Sequence, residues 1–184
     1  MKGIIFTEFI QFAEARYGIE TVDSMIESCD LMTGGAYTSV GNYELGELVQ
    51  LVVRLSELTN TEITEILRSY GNILFDSLVR LHPEVTGSVN DAFDLLKGID
   101  THIHVEVRKL YADAEPPAFE CEQPSPDKLL LTYRSNRGLA DVAQGLIEGC
   151  FRHFHESVSL STEDLSDGAK TAVRFVLQRG PADK

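Results

Sequence analysis

Four of the five histidines in this 184-residue chain fall in two His-x-His pairs, His102-Ile103-His104 and His153-Phe154-His155. On a β-strand the two rings of such a pair share a face and could chelate a transition metal together. On a helix, residues two apart diverge by about 160°, so neither pair closes on one ion and at most one ring of each points inward. The second group with chemical capacity is Tyr133-Arg134-Ser135-Asn136-Arg137. If a strand runs through to Arg137, then Tyr133, Ser135 and Arg137 project from one face about 7 Å apart, presenting two hydroxyls and a guanidinium. Such a row suits a pair of carboxylates: the guanidinium grips one in a forked, charge-assisted geometry and the hydroxyls serve the remaining lone pairs. On spacing alone, an ordinary exposed strand end fits equally well.

Both histidine pairs lie in helical patterns. Over Asn90–Tyr111 the apolar face centres on Leu96, Ile99, Ile103, Val107 and Leu110. His104 sits on the flank with Phe93, Asp100, Val107 and Tyr111, whereas His102 sits on the opposite flank with Leu95, Glu106 and Lys109. This leans towards His104 as the inward member without deciding it, because a half-buried histidine is more often a satisfied structural residue than a ligand. His153 and His155 belong to a helix from Leu139 to about Ser157, whose broad apolar face runs from Leu139 and Val142 to Phe151 and Phe154. No second signal attaches to them, and they read as surface residues.

Upstream, a first helix over Ile4–Tyr17 is closed by Gly18, and Thr21 is placed to cap a second that carries Val22, Met25, Ile26 and Cys29. A third spans about Tyr43 to Leu58. Thr59-Asn60-Thr61-Glu62 has capping-box spacing before a fourth, with Ile63, Ile66, Leu67, Tyr70, Ile73 and Leu74, that stops at His82-Pro83. Pro116-Pro117 and Gln123–Asp127 break the helical rhythm, after which period-two alternation predicts strands over Lys128–Ser135 and Thr171–Gln178. The expected architecture is α+β in a single domain: a helical part over about 1–60 and a mixed part over about 61–184.

Composition narrows the function classes. Sixteen Lys+Arg against 29 Asp+Glu give a net charge of −13, which argues against nucleic acid and anionic membranes as partners. Cys29, Cys121 and Cys150 are odd in number and form no Cys-x-x-Cys, so they are expected to be free thiols in a reducing compartment. Glu8 interrupts the N-terminal apolar run too early for a signal sequence, and no stretch approaches the ~18 apolar residues of a membrane span; a soluble cytoplasmic protein is expected. Nucleophile-elbow, phosphate-loop and zinc-protease motifs are absent, and the expectation is that the chain is not an enzyme.

One combination is specific. His104, followed by Tyr111, Pro116-Pro117 and Phe119, then Tyr133-x-Ser135-x-Arg137, resembles the H-NOX family, the haem nitric oxide/oxygen binding domains related to the sensor domain of soluble guanylate cyclase. The opening Met1-Lys2-Gly3-Ile4-Ile5 is similar to bacterial members. The resemblance implies the H-NOX fold, with its antiparallel sheet, and a b-type haem between the two parts. It makes His104 the only protein ligand to iron, assigns Tyr133, Ser135 and Arg137 to the two propionates, and sets Ile5 and Pro117 against the macrocycle. Oxygen-binding members carry a distal tyrosine, and at its position in Asp141-Val142-Ala143-Gln144-Gly145 this chain has Val142. With Phe9, Leu74 and Leu146 the distal pocket is then expected to be apolar. Bound dioxygen needs a hydrogen-bond donor and nitric oxide (NO) does not, so NO and CO are favoured over oxygen.

The function so implied is a ferrous five-coordinate haem sensor in which NO weakens the iron–histidine bond and shifts a two-state element. Output is expected in trans, to a sensor histidine kinase or to a cyclic-di-GMP enzyme, either diguanylate cyclase or phosphodiesterase. A haem enzyme handling NO or peroxide would need distal acid or base groups that the apolar set lacks. A haem-free interaction protein would have no use for an intact His104, Tyr133, Ser135 and Arg137.

Overall fold

The computed structural model describes residues 1–110 and 114–180. Helix α1 (Gly3–Tyr17) buries Phe6, Phe9, Phe12 and Ala13 at three- and four-residue steps and ends at Gly18, whose φ of 89° lies where a side chain would be strained. Helix α2 (Ile19–Glu27) starts directly there. Thr21 is therefore inside the helix rather than capping it, and its hydroxyl donates to the Tyr17 carbonyl at 2.9 Å. Helices α3 (Leu45–Thr59) and α4 (Ile63–Leu81) follow. The capping box does not form: α4 has no side-chain cap, and the Thr59 hydroxyl turns back to the Leu55 carbonyl at 2.7 Å. These four helices enclose an aromatic-rich cluster around Phe6, Phe9, Phe12, Leu51, Tyr70 and Leu74.

The helix predicted over 90–111 is broken. After the short α5 (Glu84–Gly87), Asp91 caps α6 (Ala92–Lys97) by accepting the Asp94 N–H at 2.8 Å. A π-helical turn over Ile99–Ile103 then widens the chain before α7 (His104–Leu110). Four strands lie among the described residues, β1 (Ala118–Ser125), β2 (Lys128–Arg134), β3 (Val158–Asp164) and β4 (Ala172–Arg179), antiparallel in the order β1-β2-β4-β3. Leu129, Leu131 and Tyr133 of β2 pair with Leu177, Phe175 and Val173 of β4, and this buried face, packed with α6 and α8 (Ala140–His153), forms a second cluster. Helix α8 ends at Phe154, short of the expected Ser157, because His155 turns into the left-handed region (φ 55°) and the chain enters β3.

Helix α8 serves both clusters. Val142 belongs to the helical one, Ala143, Ile147 and Cys150 to the sheet-backed one, and Leu146 packs against both. It crosses α4 with main chain against main chain: a Cβ on Gly71 would collide with the Val142 carbonyl, and one on Gly145 with the Arg68 carbonyl. Among the described residues no helix is long and apolar enough to cross a membrane.

Candidate functional site

His104 opens α7 immediately after the π-helical turn, with its side chain 12% exposed. Its Nδ1 lies 2.7 Å from Oδ1 of Asp100, one turn earlier, and Oδ2 of Asp100 accepts the backbone N–H of Phe119 at 2.9 Å. The carboxylate on Nδ1 draws the ring proton there and leaves the Nε2 lone pair for a ligand. Burial holds the imidazole below the ordinary histidine pKa against the upward pull of Asp100, and Arg108 adds to the fall. Burial thus favours the neutral form of His104, the form that metal binding requires. His102 is exposed, with Nδ1 2.9 Å from the Thr101 hydroxyl, so the structure separates the pair that the helical wheel only leaned on. His153 and His155 are exposed.

The donor row is gathered differently from expectation. Strand β2 ends at Arg134, so Tyr133, Ser135 and Arg137 do not alternate along one strand. The Ser135 N–H still reaches the Thr171 carbonyl at 2.9 Å, but the chain then turns through Asn136 and Arg137 to Gly138 at φ 64°. The turn folds the three groups together. Buried Tyr133 accepts the Leu139 N–H at 3.2 Å; burial raises its pKa, and the nearby Ser135 hydroxyl, the Leu139 N–H and the Arg137 charge oppose the rise. Ser135 Oγ accepts the Arg137 N–H at 3.2 Å, and the Arg137 guanidinium reaches the Glu115 carbonyl and, at 3.3 Å, its carboxylate. That guanidinium already holds a carboxylate, which is the chemistry its placement suggested.

Phe9, Leu74 and Val142 are buried in the helical cluster, and Ile5 and Leu146 are half-buried against it. Ile5 is held by its carbonyl, which accepts the Tyr70 hydroxyl at 2.7 Å. Pro117 is half-buried just before β1. The Phe119 ring stands between His104 and Tyr133, at centroid distances of 6.0 and 5.6 Å. Tyr111 lies outside the described residues.

Sequence reasoning missed two partners. Asp100 was visible as an acid four residues before the histidine, but its second bond goes to a strand that the sequence did not reveal. Glu115 carried no signal at all.

No group of three or more His, Cys, Asp or Glu among the described residues could hold a bare metal ion. His104 can supply one ligand only. That donor set fits a metal arriving with equatorial ligands of its own: one imidazole, a knot of donors for an anionic edge, and apolar walls. A family model described as haem-NO-binding matches residues 2–162. The chain belongs to the haem-NO-binding, or H-NOX, family.

Two solved relatives agree. The A71G mutant of the H-NOX protein from K. algicida, solved in the Fe(II) unliganded state, is 36% identical with a TM-score of 0.94, covering 99% of this chain and 98% of its own. The H-NOX of Shewanella woodyi in its Fe(II)CO state is 42% identical with a TM-score of 0.84, covering 100% of this chain and 97% of its own. A soluble guanylate cyclase of Caenorhabditis elegans is 24% identical over 85% of this chain, which spans only 23% of that relative's length. The H-NOX fold and the mixed helix-and-sheet architecture expected from the sequence are therefore established. Domains of this family bind haem and act as gas sensors.

Proposed function

We propose that this H-NOX domain is an NO sensor carrying a b-type haem, whose iron Nε2 of His104 would hold. The observation that carries this is the His104 environment: a buried imidazole with Nδ1 fixed by a carboxylate and, among the described residues, no cluster of three or more His, Cys, Asp or Glu that would hold a bare ion instead. Tyr133, Ser135 and Arg137 are the proposed hold on the propionates, the guanidinium exchanging Glu115 for the haem edge. Ile5 and Pro117, both half-buried, are proposed to press on the macrocycle. The haem iron supplies the gas-binding position.

Phe9, Leu74, Val142 and Leu146 are the proposed distal wall. None carries a hydrogen-bond donor, which favours NO and CO over dioxygen and leaves no acid or base for peroxide chemistry. His104 would be the protein's hold on the iron, and weakening of that hold by NO would loosen the start of α7. The output is proposed to pass to a separate histidine kinase or cyclic-di-GMP enzyme, read as a change in that enzyme's turnover between the ferrous and NO-treated forms.

The test is the absorption spectrum of the reduced protein. It should show five-coordinate high-spin ferrous haem, unchanged by minutes in air and altered at once by NO. A protein that stays colourless with added haemin refutes the haem reading, and a spectrum that changes in air and then persists refutes the NO preference.

A further inference from the structure

Asp100 holds two different parts of the molecule with its two carboxylate oxygens. Oδ1 takes Nδ1 of His104 at 2.7 Å and Oδ2 takes the Phe119 N–H at 2.9 Å. Among the described ion pairs it has no lysine or arginine partner, and its side chain is 33% exposed. Its negative charge is therefore directed at these two N–H groups. Phe119 is the second residue of β1 and pairs with Tyr133 of β2, while its ring contacts both His104 and Tyr133. One carboxylate thus joins the imidazole to the sheet.

We propose that Asp100 is the positioning residue of the haem ligand: it fixes the plane and donor strength of the His104 ring and ties that ring to strand β1, so that the state of the iron–histidine bond is transmitted to this edge of the sheet. The inference rests on the reading of His104 as the ligand. An anionic acceptor on Nδ1 makes Nε2 a stronger donor than a neutral acceptor does, and such outer partners set both ligand orientation and metal affinity. When Nε2 loses its bond, the ring is still held at Nδ1, so the turn carrying Asp100 moves with it and pulls on the Phe119 N–H. Strand β1 can follow, because among the described residues it is bonded to β2 on one side and to no strand on the other.

The experiment compares haem-loaded full-length wild type with Asp100→Asn and Asp100→Ala. Resonance Raman of the ferrous protein should show the iron–imidazole stretching band at lower wavenumber in both variants, further for Ala, and haem should pass to an acceptor globin about 10- to 100-fold faster. Amide hydrogen exchange at 119–121 should rise on NO addition in wild type, and Asp100→Ala should start high and lose that response. An Asn variant with a wild-type Raman band and haem-loss rate overturns the positioning role, as does a wild type in which NO leaves exchange in β1 unchanged. Should Asp100→Ala fail to fold by near-ultraviolet circular dichroism, the nearly isosteric Asn variant decides. A wild type that takes up no haem brings down the ligand reading itself, and this inference with it.

Discussion

The two hydrophobic clusters that share α8 are edged with different chemistry. The helical cluster packs rings on rings, with Phe9 edge-on to Tyr70 at 5.4 Å and Phe6 stacked on Tyr37 at 4.7 Å. Two of its polar groups are paired within the helical part: Tyr70 donates to the Ile5 carbonyl, while buried Glu47 accepts the Thr33 and Tyr37 hydroxyls at 2.6 and 2.7 Å. Val142 is the buried residue that α8 contributes to it, in the same cluster as Phe9 and Leu74. The sheet-backed cluster is rimmed instead by a carboxylate, an imidazole, a hydroxyl and a guanidinium in Asp100, His104, Ser135 and Arg137. On the proposed reading one wall grips and the other only keeps water and donors away. Binding strength and gas discrimination are then separable, each set by a different half of the molecule.

The hardest blow to the gripping wall is His104→Gly. The protein should emerge without haem unless imidazole is supplied, while His102→Gly should keep its full complement, both read as haem per polypeptide. A reversal of the two results would move the ligand to the exposed ring. Next is Gly145→Ala, which touches neither wall but forces α8 away from the Arg68 carbonyl. Overpacking of this kind costs about 1–3 kcal/mol, measurable by urea unfolding, and haem content should fall with it.

Val142→Tyr sharpens the comparison from the other side. A phenol in the excluding wall should make the ferrous spectrum respond to air, with retention of haem showing that the gripping wall is intact; a spectrum still indifferent to air would remove Val142 from the distal wall. The smallest effect is in the thiols, which sample both clusters. Burial pushes the Cys150 thiol far up, and it has no exposed surface, whereas Cys29 is half-buried at the helical rim and Cys121 is exposed on β1. At about pH 8 a maleimide should label Cys121 first, Cys29 more slowly and Cys150 only on unfolding, because only the thiolate reacts. Raising the pH should speed the first two and leave the third limited by opening of the core.

Where a segment has one buried face, its period was legible. Helices α1 and α4 and the central strands β2 and β4 each bury a continuous face and were read close to their observed bounds. The edge strands were not. In β1 only Phe119 is withdrawn from solvent, and in β3 only Val158 and Leu160 are, so the alternation that marks a strand has nothing to alternate against. Pro124 further disguised β1, and an edge strand tolerates it. The π-helical turn escaped because no residue type marks it; it divides what the wheel treated as one helix over 90–111. For the candidate site, residue types and family resemblance pointed to His104, Tyr133, Ser135 and Arg137, the residues on which the proposed function rests. The turn after Arg134 and the reach of Asp100 to a strand 19 residues away depend on the fold, and no local pattern encodes them.

Helices α4 and α8 meet without intervening side chains at Gly71 and Gly145, and there is no rotamer to change and no gap to close at that crossing. The pair behaves as a single beam to which both clusters are bolted. On the proposed reading, a signal from the gas site does not travel by sliding one helix over the other. The route left to it runs along the widened turn before His104 and into strand β1.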